Sequence, residues 1–228
     1  PEKRVADIMS AARSVLAERG VAEAFVSEVA DRAGVVEGSI YRFFSNKRAL
    51  VEKVVEHWYE EMLDEYSAQF EGIRGVRNQL RFIIHHHLVS IKKEPALSRI
   101  AFLELRPAEN YRSTRIFVLN QAYTQRVVEV VRAAVQSGEF RSGVSASLVR
   151  DMIFGGIEHR VWAFLRNEGD FDTAQTADAI ADFVCDALAP SSPASEDPVA
   201  TALSRIESVA DRMESLLAGA LPGKRART

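Results

Sequence analysis

The chain predicts an all-α protein: an N-terminal three-helix module of the helix-turn-helix type, a larger helical body, and an extra C-terminal helix. Three observations carry this. Apolar residues recur three and four apart in one segment after another, the period of a helix with one buried face. Strand-like alternation is absent, and the β-branched residues are scattered through helical spacings. Glycines at 20, 34, 72 and 75 punctuate the chain between periodic stretches.

Residues 2–19 place Val5, Ile8, Ala12 and Val15 on one stripe, and Gly20 ends that helix. Residues 25–50, FVSEVADRAGVVEGSIYRFFSNKRAL, then read as two short helices, a tight turn between them, and the start of a longer helix. Val29 and Ala30 begin an apolar face that Ala33, Val35, Ile40 and Phe44 continue. Gly34 stands where the first of these helices must stop, because a residue without Cβ takes the left-handed conformation at no steric cost. The second helix is expected over residues 38–44, with Ile40 and Phe44 turned inward. Ser39 and Arg42 fall on the other faces, with Val36 and Glu37 just before the helix. This is the pattern of a helix-turn-helix that reads DNA. Ser39, Arg42 and Glu37 are the candidates for base edges, and Tyr41 and Lys47 for phosphates. Lys47 opens the next helix, which Ser45 or Asn46 could cap. Lys3, Arg4, Arg42, Lys47 and Arg48 could together supply a basic patch.

Here the sequence resembles the TetR family of bacterial transcriptional regulators. The matching residues are Val29-Ala30, Ala33-Gly34-Val35, Gly38-Ser39-Ile40-Tyr41, Phe44, Lys47 and Leu50. The resemblance implies that Val36, Glu37, Ser39, Tyr41, Arg42 and Lys47 face DNA. Two departures stand out. Positions 24 and 25 often carry a capping Ser or Thr in this family but here are Ala24 and Phe25, so the phosphate contact is absent or passes to Ser27. Position 43, often Tyr or His, is Phe43 and cannot bond a phosphate. The segment VSEVADRAGVVEGSIYRFF is most similar to the branch that senses fatty acyl-CoA, which makes acyl-CoA a candidate effector.

Further helices are expected at 47–70, 77–93, 95–105, 109–136, 146–166 and 173–188. The body holds either a ligand pocket or a solid core, and the candidates for lining are Trp58, Phe82, His86, Phe102, Tyr123, Phe154, His159 and Trp162. The resemblance implies a small-molecule effector in this domain, released from or bound to a dimer whose two reading heads change spacing. It also implies a four-helix dimer contact from the last two core helices, involving Gly155, Gly156, Phe183 and Leu188. The two glycines sit mid-helix, where each costs up to ~1 kcal/mol relative to alanine. Close approach of a partner helix is one compensation, and room for a ligand another. Arg99, Arg106, Arg112 and Arg115 cluster around Pro107, as a solvated basic surface or as a clasp for an anionic head such as the phosphates of coenzyme A.

His85, His86 and His87 invite a metal reading, but adjacent helical positions diverge by about 100°, so they cannot converge on one ion. One of the three is expected to be buried and hydrogen-bonded. No metal and no cofactor are expected. Residues 190–198 read as a polar linker. Residues 199–219 form an amphipathic helix with Val199, Leu203, Ile206, Ala210, Met213 and Leu217 on one seam. Residues 224–227, Lys-Arg-Ala-Arg, form a basic end.

The expected division is thus a DNA-binding domain over 1–47, an effector and dimerisation domain over 48–189, the linker, and the final helix. A net charge of −3 argues against charge-driven coating of nucleic acid. No apolar run approaches the ~20 residues of a membrane span, no signal peptide is read, and a single cysteine, Cys185, suits a reducing cytoplasm. The expectation is a cytoplasmic homodimeric repressor that binds a palindromic operator in double-stranded DNA and is released by a small molecule. The alternatives are an effector-independent DNA-binding protein and, with neither phosphate loop nor nucleophile motif to support it, an all-helical enzyme.

Overall fold

Nine α-helices run in sequence through the described part of a computed structural model, which covers residues 2–190 and Ser208. They are α1 (Glu2–Glu23), α2 (Val26–Ala33), α3 (Glu37–Ile40), α4 (Lys47–Phe70), α5 (Val76–Lys93), α6 (Pro95–Ile100), α7 (Arg115–Ser137), α8 (Ala146–Leu165) and α9 (Thr173–Leu188). No strand occurs among the described residues. The expected linker beyond Pro190, the helix over 199–219 and the basic end lie outside the described residues, Ser208 excepted.

Most boundaries follow from local chemistry. Gly34 ends α2 in the left-handed conformation (φ 65°, ψ 34°), and the Val35 amide bonds back to the Ala30 carbonyl at 3.0 Å. Asn46 caps α4, its Oδ1 accepting from the Ala49 amide at 2.9 Å, so of the two capping candidates the asparagine does the work. Thr114, Ser145 and Asp172 cap α7, α8 and α9 in the same way.

Three elements differ from the sequence expectation. The first helix continues past Gly20 to Glu23, with Gly20 as a break at φ 70°, ψ 177°. The reading helix is a single turn, Glu37–Ile40, and the chain then turns through 41–43, with the Phe44 amide bonded to the Ile40 carbonyl at 3.0 Å. The helix expected from residue 109 starts only at Arg115, because Thr114 caps there. Before it, α6 widens into a π-helical turn (Ala101–Leu105), and a single 3-10 turn follows at Tyr111–Ser113.

Residues 1–189 form one compact unit. α1 packs on α2, α4 and α6, so the small module is seated on the body rather than hung from it. α5 lies along α9, and α7 lies between α4 and α8. Pairings along α4 and α7 (Glu60 with Arg115, Tyr66 with Tyr123, Phe70 with Arg126) show that these two helices run in the same direction. Their shared face, with α5 and α8, encloses the core of the body.

Candidate nucleic-acid interface and effector site

The surface expected to face DNA is built by pinning one side of a very short helix. Ile40 and Phe44 are buried, which fixes the α3 turn against α2. Each such burial contributes about 1.5–3 kcal/mol. The opposite side is left to solvent. Val36 is 75% exposed at the start of α3, Glu37, Tyr41 and Arg42 are exposed, and Ser39 and Lys47 are half-buried. Lys3, Arg4 and Ser27 are exposed as well. Phe25 precedes α2 in an extended conformation without a side-chain cap, so the usual hydroxyl is unreplaced at that position. Phe43 is exposed and apolar beside Tyr41.

Charge on this module is sorted. Arg32 holds Glu18 at 2.5 Å and Glu28 at 2.9 Å, and Arg48 holds Glu52 at 2.8 Å. Arg48 is exposed and shares its charge with Glu52 one turn on, a weak surface pair. No ion pair among the described residues engages Arg42 or Lys47.

In the body, aromatic side chains converge from four helices. Tyr66 of α4 stands 5.5–5.7 Å, ring centre to ring centre, from Phe70, Phe82, His86 and Tyr123. His87 of α5 lies 5.5 Å from Tyr123 and 5.1 Å, edge to face, from Phe154 of α8. Some polar atoms here are satisfied: His86 Nδ1 pairs with Tyr123 Oη at 3.1 Å, and Tyr59 Oη donates to Asn120 at 3.4 Å. Tyr66 lies within reach of Arg126, and Tyr111 within reach of Asn120. His87 Nδ1 is buried without a hydrogen-bond partner, which costs about 1–3 kcal/mol. Burial pushes His87 down to about 3, with His86 and Arg106 adding to the shift, and the ring is neutral. Burial likewise raises Tyr59, Tyr66 and Tyr123 above the ordinary phenol value, keeping their hydroxyls protonated.

The eight residues expected to line a pocket separate into groups. Phe82, His86, Tyr123 and Phe154 meet around Tyr66 and His87, and Trp58 is buried next door against Tyr59 at 5.3 Å. Phe102 and Trp162 form a separate pair, 6.3 Å apart. His159 is exposed on the far side of α8, because it lies three residues beyond Gly156 on the same helical face. Tyr59 and Tyr66, which stand beside these residues, were not picked out from the sequence. The seven-residue spacing of Tyr59 and Tyr66, two turns on one face of α4, was the available signal. The histidine run diverges: His85 faces Thr173, His86 bonds Tyr123, and His87 is buried without a partner at Nδ1, so the buried histidine is not the bonded one.

The arginines around Pro107 do not form one clasp. Arg99 donates to the Leu165 carbonyl at 2.8 Å, Arg106 pairs with Glu158 at 2.7 Å and Arg115 with Glu60 at 2.7 Å, while Arg112 is exposed. Their charges are spent on three separate partners.

A groove of about 720 Å³ runs between α8 and α9, lined by Met152, Gly156, His159, Phe183 and neighbouring residues. Gly155 and Gly156 are exposed, and a Cβ on either would meet nothing within 4 Å, so nothing inside the described chain requires glycine there. Phe183 is 68% exposed, Leu148 and Met152 nearly as much, and Leu188 is buried at the end of the groove.

Arg13 ties the module to the body: on α1, it holds Glu61 of α4 at 2.8 Å and Glu94, between α5 and α6, at 2.7 Å. Within the body, Arg115 at the start of α7 holds Glu60, the residue before Glu61 on α4.

Residues 8–54 match the family described as bacterial regulatory proteins, tetR family, and residues 55–187 match the YsiA-like protein C-terminal region. The fatty acid metabolism regulator protein of Bacillus subtilis is 25% identical over 173 residues, covering 76% of this chain and 89% of that protein. The transcriptional repressor KstR2 of Mycolicibacterium smegmatis is 24% identical over 174 residues, covering 73% and 80%. The crystal structure of FadR from Bacillus subtilis in complex with stearoyl-CoA superposes with a TM-score of 0.70 at 25% identity, covering 78% of this chain and 96% of that one. No helix among the described residues is long and apolar enough to cross a membrane. With both the reading module and the helical body matched, the chain belongs to the tetR family of bacterial transcriptional regulators, DNA-binding proteins rather than enzymes.

Proposed function

We propose that the protein is a homodimeric repressor that reads a palindromic operator and releases it on binding a small effector, with a fatty acyl-CoA as the candidate. DNA is met by Val36, Glu37, Ser39, Tyr41, Arg42 and Lys47, with Lys3, Arg4 and Ser27 at the margin. Ser39, Glu37 and Arg42 reach base edges, and Tyr41 and Lys47 hold phosphates. The division of labour is residues 1–47 for DNA and 48–189 for effector and dimer. The single observation that carries the effector half is the aromatic centre gathered from α4, α5, α7 and α8, with the neutral His87 buried in it and unpaired at Nδ1. The acyl-CoA candidate draws on the similarity to a fatty acid metabolism regulator and to FadR crystallised with stearoyl-CoA.

Dimerisation through α8 and α9 is supported by the exposed apolar groove and by two mid-helix glycines that a partner helix would justify. Two reading heads related by a two-fold axis require half-sites about one helical turn apart or a related spacing. The test is selection of duplexes from a random pool, repeated with stearoyl-CoA present. A recovered palindrome that is lost with stearoyl-CoA is the expected result. A recovered sequence without two-fold symmetry would overturn the dimer reading, and a palindrome indifferent to stearoyl-CoA would overturn the acyl-CoA candidate.

A further inference from the structure

We propose that Arg13 is the positioning residue that sets the angle of the reading module on the body, and that through this angle it restricts the dimer to one spacing between operator half-sites. The inference rests on the dimeric, palindrome-reading function proposed above and adds the residue that fixes the geometry of that reading.

Helices α1 to α3 are held to one another by their own charges: Arg32 pairs with Glu18 and Glu28, and Arg19 with Glu28 at 3.7 Å. Among the described residues, Arg13 alone in these three helices sends a side-chain hydrogen bond or ion pair to an element beyond Asn46. Its guanidinium commits three N–H groups there. Nε and Nη2 donate to one oxygen of Glu94 at 3.0 and 2.7 Å, and Nη1 donates to Glu61 at 2.8 Å. Otherwise α1 is seated by apolar residues buried along it, such as Ile8, Ala12 and Val15. Apolar burial has no preferred direction, so it tolerates small rotations of one helix on another. A planar guanidinium shared between two carboxylates fixes direction as well as distance.

Both carboxylates are firmly based. Glu94 occupies the joint between α5 and α6, where its amide donates to the Ser90 carbonyl at 3.0 Å. Its own carbonyl accepts from the amide and the hydroxyl of the buried Ser98 at 3.0 and 2.9 Å. Glu61 lies fourteen residues beyond Lys47, about 21 Å from the head end of α4. A tie made that far along α4 controls the tilt of the module with a leverage that contacts at the start of α4 lack.

Packing does not duplicate the tie. A cleft of about 600 Å³ opens between α1 and α4 beside Arg13, lined by Val5, Met9, Phe43, Val54 and His57. Side chains do not fill the space on that side of α1, so its direction there depends on the clasp. Moving a half-site by one base pair shifts it by about 3.4 Å along the duplex and turns it by about 35° around the axis. Two heads clamped at one angle cannot follow both changes, whereas heads seated by apolar packing alone follow them in part.

The test uses the full chain. Half-sites are recovered by selection from random duplexes, and affinity is then measured by fluorescence anisotropy for the recovered operator and for versions with one base pair inserted or removed at its two-fold axis. The parent should lose about tenfold on either change. Arg13→Gln and the double variant Glu61→Gln/Glu94→Gln remove the same clasp from opposite sides. Each should lose only about two- to threefold, while discriminating bases within a half-site as the parent does. A tenfold penalty retained by either folded variant overturns the spacing role and leaves operator reading intact. Loss of base discrimination within the half-sites assigns the tie a merely structural part and overturns the spacing role as well. If one variant fails to fold in a thermal melt, the other decides. If the parent recovers no palindrome, the dimeric reading and this inference fall together.

Discussion

Replacing His87 with leucine isolates the consequence of burying an ionisable ring among aromatics. In the folded chain the ring is held neutral, its value pushed down to about 3 by burial, with His86 and Arg106 reinforcing the effect. In the unfolded chain it titrates near 6.5. The unfolded state thus takes up a proton as pH falls below 6.5 while the folded state does not, and stability is lost progressively from there down towards about pH 3. At about pH 5 the ring lies 1.5 below its unfolded value, and 1.5 × 1.36 gives about 2 kcal/mol lost relative to neutral pH. For a chain of this size that corresponds to a fall of about 4–8 °C in melting temperature. Thermal and urea melts of the parent and of His87→Leu at about pH 5 and pH 7 measure it, the difference between the two proteins cancelling other titrating groups. The parent should lose about 2 kcal/mol more than His87→Leu over that interval. Parallel pH profiles for the two proteins would refute the buried, neutral assignment.

Three further outcomes are expected. Gly34→Ala forces a Cβ into a left-handed residue with open space around it, so the cost is backbone strain alone, about 1–2 kcal/mol in thermal melts. Arg42→Ala and Lys47→Ala should each reduce the slope of log affinity for the selected operator against log salt by about 1, and an unchanged slope would remove that residue from the phosphate contacts. Phe183→Glu places a charge on the exposed apolar face of α9 and should convert a dimer to a monomer in analytical ultracentrifugation, whereas retention of the dimer mass would exclude this face as the interface.

The short-range features of the chain were readable because they depend on neighbours in sequence. Gly34 as the stop of α2, Ile40 and Phe44 as the inward pair, Asn46 as one of two caps for α4, and the α9 boundaries all follow from spacings of three or four residues. The bounds of α3 and α7 were misjudged for the same reason. The turn at 41–43 and the irregular stretch at 106–114 answer to what packs on them, not to local pattern. Within the aromatic centre, single residues such as Tyr123 and Phe154 could be picked for size and apolar spacing. His159 could not be excluded from that group, because which face of α8 points inward is decided by α7.

What the sequence determined by itself was an all-helical chain with a DNA-reading module, since a helix-turn-helix is specified by about twenty-five consecutive residues and their turn chemistry. Tertiary structure alone decided which polar atoms of the body lack partners, which arginines remain free, and which aromatics meet. Those outcomes depend on side chains brought together across 30 to 90 residues of intervening chain, as Tyr66 with Tyr123 and His87 with Phe154. Satisfaction of a hydrogen bond is a property of such an encounter, and no periodicity along the chain encodes it.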